Sequence, residues 1–168
     1  CVQLLKKKGK HIPDLSMAGG FVNETQIFKS IAMSNFGDGP AIKAITMARA
    51  PLTAVMKATY FVELAKENKL PRDFASTYGA DPKKFFACLP ELREMYKGKE
   101  IPLPAVGLYT YLVDRIGVGL KQLMAGCRKW KIELLSREDL MSLSQRAEEV
   151  TGIPTPDHAA DAILEQIL

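Results

Sequence analysis

The sequence predicts an α/β fold. Residues 1–69 read as the last two strand-helix units of a (β/α)8 (TIM) barrel, from the end of helix 6 to helix 8, and residues 70–168 as a mainly α-helical C-terminal extension packed on it. Three observations predict this. Two short apolar runs, Ile12 to Ala18 and Ala41 to Met47, alternate with helical patterns in the first third of the chain. Each run ends in a turn suited to an anion, and in (β/α)8 barrels a phosphate site is frequently made by the loops after strands 7 and 8. No convincing strand follows Leu70. Two parallel strands cannot cover their own edges and faces, so an incomplete barrel is expected, its six earlier strands upstream of Cys1 or supplied by a complementary chain.

Taken in order, Cys1 to Gly9 reads as the end of a helix, with apolar Val2, Leu4 and Leu5, the cations Lys6, Lys7 and Lys8 at its negative end and Gly9 as a stop. IPDLSMA then forms a buried parallel strand that closes at Gly19 and Gly20. Asn23 caps the next helix, Gln26 completes a capping-box pattern, and Ile27, Phe28 and Ile31 give one apolar face. FGDGP, Phe36 to Pro40, is a loop by composition, and AIKAITM is the second strand. Pro51 suits the first turn of a third helix, whose expected face carries Leu52, Val55, Met56, Tyr60 and Leu64.

Beyond Leu70, Asp81 and Pro82 open a helical stretch holding Phe85 and Phe86, which Gly98 closes. Ala105 to Trp130 is long and mostly apolar. Its glycines, Gly107, Gly117, Gly119 and Gly126, weaken a single helix by about 1 kcal/mol each relative to Ala, or else permit close helix packing. Ser136 with Asp139 caps a segment bearing Leu140, Leu143 and Ala147 on one face, Gly152 ends it, and Thr155 and Pro156 start a last helix.

A composition of 47% hydrophobic and 25% charged residues over 168 positions is that of a water-soluble globular chain, which excludes extended disorder. No apolar run approaches the ~20 residues of a bilayer span and no signal-peptide pattern occurs, so a cytoplasmic protein without a membrane partner is expected. Cys1, Cys88 and Cys127 are far apart with no C-x-x-C spacing and read as free thiols. The net charge of +4 is spread among acidic residues, so nucleic acid is not an expected partner.

The chemistry concentrates in two loops. A strand, the glycine pair Gly19 and Gly20, and a capped helix set unpaired backbone N-H groups at a positive helix end. The second strand repeats the logic in MARAP, where the amides of Ala48 and Arg49 and the Arg49 guanidinium reach the same anion. A tight turn without a ligand is the plain alternative for the glycine pair.

SMAGGFVNETQIFKSIAMS followed by AIKAITMARAP, and later GLKQLMAGCRKW with SREDLMSL, resembles the C-terminal part of the FMN-binding domain of glutamate synthase-like proteins. The resemblance covers most of the chain. It implies that Gly19, Gly20 and Phe21, with Ala48 and Arg49, hold the phosphate of FMN, and that the chain is the C-terminal portion of an FMN-dependent oxidoreductase, inactive alone and joined to a complementary portion or a second copy. The sequence departs from the family at Ala18, where many relatives carry an Asp that bonds the ribityl chain, and at Ala48, where Gly is common. It lacks the clustered cysteines that hold the iron-sulfur centre of glutamate synthases proper, so no such cluster is expected. Two other functions fit the same residues: a helical assembly subunit that keeps a barrel ending without flavin, and a barrel enzyme with a phosphorylated substrate.

No residue qualifies as catalytic and none as a metal ligand. His11 and His158 have no second ligand at helical spacing, and His158 reads as a surface residue whose titration Asp157 and Asp161 bias. Tyr109, Tyr111 and Trp130 read as packing residues, and Lys43 as a strand cation in need of a partner or of a route to solvent.

Overall fold

Two short strands, β1 (Leu15–Ala18) and β2 (Ile42–Thr46), form one parallel two-stranded sheet in a computed structural model that describes residues 2–167. The reading of Cys1 lies outside the described residues. The remaining elements are helical: α1 (Val2–Lys7), α2 (Glu24–Met33), α3 (Arg49–Lys66), α4 (Arg72–Tyr78), α5 (Pro82–Phe85), α6 (Leu89–Met95), α7 (Leu103–Tyr109), a π-helix over Thr110–Gly117, α8 (Val118–Gly126), 3-10 turns over Ile132–Leu134 and Arg137–Asp139, α9 (Gln145–Thr151) and α10 (Pro156–Ile167).

This corrects the expected fold class. The structure is 60% helical with two strands in a single sheet, so it is not two strand-helix units of a (β/α)8 barrel. The strands show why. They hold four and five residues, most of them exposed, whereas the strands of a parallel barrel are buried on both faces. The runs Ile12 to Ala18 and Ala41 to Met47 contain enough apolar residues to look like buried strands, but the molecule buries its apolar surface between helices.

The chain folds as two compact units, each assembled from separated segments. One contains the residues up to Met17, Thr25–Ile45 and the residues from Leu123 on; the other contains Ala18–Glu24 and Thr46–Gln122. The expected boundary between residues 69 and 70 falls inside the second unit.

In the first unit α2 buries Ile27, Phe28, Ile31 and Ala32, the face that its periodicity marks. Asn35, itself buried, donates from Nδ2 to the carbonyl of Leu135 at 2.7 Å and accepts at Oδ1 from the amides of Gly37 and Gly39. Only half of the expected Ser136 and Asp139 capping box forms, on a 3-10 turn of three residues: the Asp139 carboxylate accepts from the Ser136 amide at 2.8 Å, while the Asp139 amide donates to the Ser136 carbonyl rather than to its hydroxyl. Leu140, Leu143 and Ala147 therefore share no helix: α9 starts behind its own cap, Ser144, and Leu143 is 95% exposed. Gly152 ends α9 with a left-handed φ of 65°.

In the second unit the core gathers Ala58, Val62, Phe86, Cys88, Leu92 and Val106. The expected face of α3 is corrected here, since Leu52, Met56 and Tyr60 are exposed and the helix buries Ala58 and Val62 instead. Gly107 of α7 lies against Ala54 and Ala58, so α3 turns its small residues inward for close approach.

Candidate functional site

The two loops singled out in the sequence line one cavity of about 480 Å³. Ala18 ends β1, and Gly19 and Gly20 turn the chain with φ of 111° and 69°. A Cβ at either glycine meets nothing within 4 Å. Positive φ, rather than crowding, is what selects glycine there. Phe21 follows, buried, and also lines the cavity.

The opposite wall begins where β2 ends at Thr46 and passes through Met47 and Ala48 into α3. Ala48 is the N-cap and offers no side-chain cap. The first amides of α3, at Arg49 and Ala50, have no acceptor within the helix, and Pro51 has no N-H to place. The amide of Leu52 reaches back to the Ala48 carbonyl at 3.5 Å. Arg49 is exposed, makes no ion pair among the described residues, and is the one charged residue in the cavity lining. An open helix N-terminus with a free guanidinium beside it attracts an anion.

Thr53, one helical turn after Arg49, also lines the cavity, and its hydroxyl donates to the Arg49 carbonyl at 2.8 Å. Sequence reasoning missed it, although the i to i+4 spacing from Arg49 marks it. Ala18 lines the cavity with a methyl group and no polar side-chain atom. Lys43 needs no buried partner because it is exposed on β2.

Other reactive groups lie elsewhere. Burial pushes the thiols of Cys88 and Cys127 up from their ordinary range, and both are free. No group of three or more His, Cys, Asp or Glu among the described residues is placed to hold a metal ion. No helix of the described residues is long and apolar enough to cross a membrane. Trp130 is exposed rather than packed, and Tyr111 donates to the carbonyl of Val22 at 2.7 Å.

His158 is tied to Glu148, with Nδ1 at 2.8 and 2.9 Å from the two carboxylate oxygens. The hydrogen bond and charge of Glu148 raise the imidazole above its ordinary 6.5, and Asp161 and Asp157 add smaller pushes in the same direction. The hydrogen bond from His158 in turn lowers Glu148. The stabilisation from the raised histidine is fully present below its unfolded pKa and is lost as pH rises through the folded value. That from the lowered carboxyl is present above its unfolded pKa and is lost as pH falls through the folded value. The pair is therefore expected to fasten α10 to α9 most firmly between about pH 4.5 and 6.5 and to loosen above that window. In an NMR titration the His158 midpoint should lie above 6.5 and fall in Glu148→Gln, where the smaller pushes of Asp161 and Asp157 remain; an unchanged midpoint in that variant refutes the coupling.

Comparison of the chain with family models, with curated proteins and with solved structures finds no match in any of the three.

Proposed function

We propose that the chain binds flavin mononucleotide by its phosphate and serves as the C-terminal portion of an FMN-dependent, glutamate synthase-like oxidoreductase. The observation that carries this reading is the convergence of the Gly19 to Phe21 turn and the Ala48 to Arg49 helix start on one cavity. The amides of those residues and the Arg49 guanidinium, which can bond two phosphate oxygens at once, suit a dianionic head group. The flavin supplies the electron chemistry when bound, and the residues of this chain hold and orient it. The cavity lining holds no carboxylate, imidazole or thiol; in this reading the groups that act on substrate come from a complementary portion, chain or copy.

The test is a titration of the full chain with FMN, riboflavin and inorganic phosphate. FMN should bind at least about tenfold more tightly than riboflavin, because the charge-assisted bonds to phosphate are absent from riboflavin. Arg49→Gln should weaken FMN about 10- to 100-fold, equivalent to about 1.4–2.7 kcal/mol, and leave riboflavin unchanged. Equal affinity for FMN and riboflavin, or no FMN binding, refutes the reading. A second reading, a phosphorylated substrate other than FMN, is favoured by Ala18, which gives a ribityl chain nothing to bond. It expects inorganic phosphate to bind as tightly as FMN.

A further inference from the structure

A second cavity in the same unit, of about 360 Å³, has a different chemistry. Its walls are a ladder of rings. Phe61 stacks on Phe74 at 4.5 Å with 13° between planes, Phe74 meets Phe85 edge-on at 5.5 Å, and Phe85 meets Phe86 edge-on at 4.9 Å. These are stacked and edge-to-face geometries that aromatic rings favour, and all four rings line the cavity, Phe86 from the buried core of the unit. The volume lies at the small end of the ~300–1,000 Å³ range of ligand cavities, which suits one or two fused rings rather than a nucleotide.

The rim is charged. Lys57 and Arg115 both line the cavity, and neither makes an ion pair among the described residues. Glu24 is the one acid in the lining, which leaves the rim net positive. Arg115 is held in place: its Nη1 donates to the Tyr78 hydroxyl at 3.1 Å and its guanidinium lies 5.4 Å from the Tyr78 ring centre. The fork keeps other N-H donors for a ligand.

The backbone supplies an independent reason to regard this as a binding site. Thr110, Tyr111, Arg115 and Ile116 all line the cavity and all belong to the π-helix. An i to i+5 repeat stacks Thr110 with Arg115 and Tyr111 with Ile116 on one side, which an α-helical repeat does not. Such segments are rare and are found frequently at functional sites.

We propose that this cavity binds a small aromatic carboxylate, its rings against Phe61, Phe74 and Phe85 and its carboxylate on Arg115; the Lys57 ammonium, 4.5 Å from the centre of the Tyr60 ring outside the lining, adds positive charge at the rim. The site is separate from the phosphate cavity, with which it shares only Val22 among its lining residues. It stands whether or not FMN binds.

The probe is 2-naphthoate, titrated calorimetrically into the full chain beside its neutral analogue 2-naphthamide. Naphthoate should bind saturably, one per chain, and at least about tenfold more tightly than naphthamide. Arg115→Gln should remove about tenfold of naphthoate affinity and leave naphthamide unchanged. Phe74→Leu, with its fold checked by circular dichroism, should weaken both ligands. FMN affinity should be the same in Arg115→Gln as in the parent, which separates failure here from failure of the flavin reading. Absence of saturable naphthoate binding, equal binding of naphthamide, or an Arg115→Gln variant that binds naphthoate like the parent overturns the proposal.

Discussion

Replacing Asn35 by Ala is expected to destabilise the protein by about 2–4 kcal/mol, read as a lower urea midpoint with an unchanged slope. One short side chain makes three bonds. Nδ2 donates to the Leu135 carbonyl, and Oδ1 accepts from the amides of Gly37 and Gly39 at 2.9 and 3.1 Å. Leu135 is 0% exposed, so water does not replace the lost donor, and an orphaned buried carbonyl costs about 1–3 kcal/mol. The two glycine amides lie in a loop with access to solvent and add less. Asn35→Asp sharpens the test, since it keeps the acceptor for the glycine amides and sets a carboxylate against the Leu135 carbonyl. It should recover little of the loss. A deficit under about 1 kcal/mol in Asn35→Ala refutes the bond to Leu135 as a fastening of the first unit.

Asn35 also marks the limit of what the sequence makes legible. FGDGP is readable as a loop because Gly37 and Gly39 carry its positive φ values within five residues. The fastening of that loop is not readable, because the partner of Asn35 lies 100 residues along the chain. The same division holds elsewhere. Asp81 with Pro82, Gly152, and Thr155 with Pro156 mark their helix ends through local chemistry, and each end falls where that chemistry places it. The fold class fails on a property no local pattern carries, namely how many strands pair and what covers them. Exposed Ser16, Met17, Lys43 and Ala44 show strands that compositions of LSMA and IKAIT alone make look buried.

The meeting of the two loops was legible for a topological reason. Parallel neighbours end on the same side of a sheet, so the chain after Ala18 and the chain after Thr46 leave β1 and β2 together. What the residues require there was less legible. The glycine pair reads in the sequence as room for a ligand, while in the structure it supplies the left-handed turn, with open space where a Cβ would stand. The aromatic cavity gave no motif, because its rings come from α3, α4, α5 and the chain just after α5, spread from Phe61 to Phe86.

Gly107→Ala is expected to destabilise the protein by about 1–3 kcal/mol, although Ala is the better helix former by about 1 kcal/mol. The decision rests on distances. A Cβ at Gly107 stands 2.6 Å from the Cβ of Ala58 and 2.7 Å from the Ala54 carbonyl oxygen. Both partners are short or fixed: a methyl group cannot rotate away, and the carbonyl belongs to the backbone of α3. Relief requires α7 and α3 to separate, and Val106, fully buried beside Gly107, would lose contacts on that movement. Gly107→Val, with two further methyl groups, should cost more than about 3 kcal/mol. Gly126→Ala is the internal control, since a Cβ there meets nothing within 4 Å and φ is not positive. That change should be neutral or stabilise by up to about 1 kcal/mol, mainly by restricting the unfolded chain. Urea titrations of the three variants measure the contrast. If Gly107→Ala behaves like Gly126→Ala, the close approach of α3 and α7 is refuted, and with it the shape of the aromatic cavity that Gly107, Ala54 and Ala58 floor.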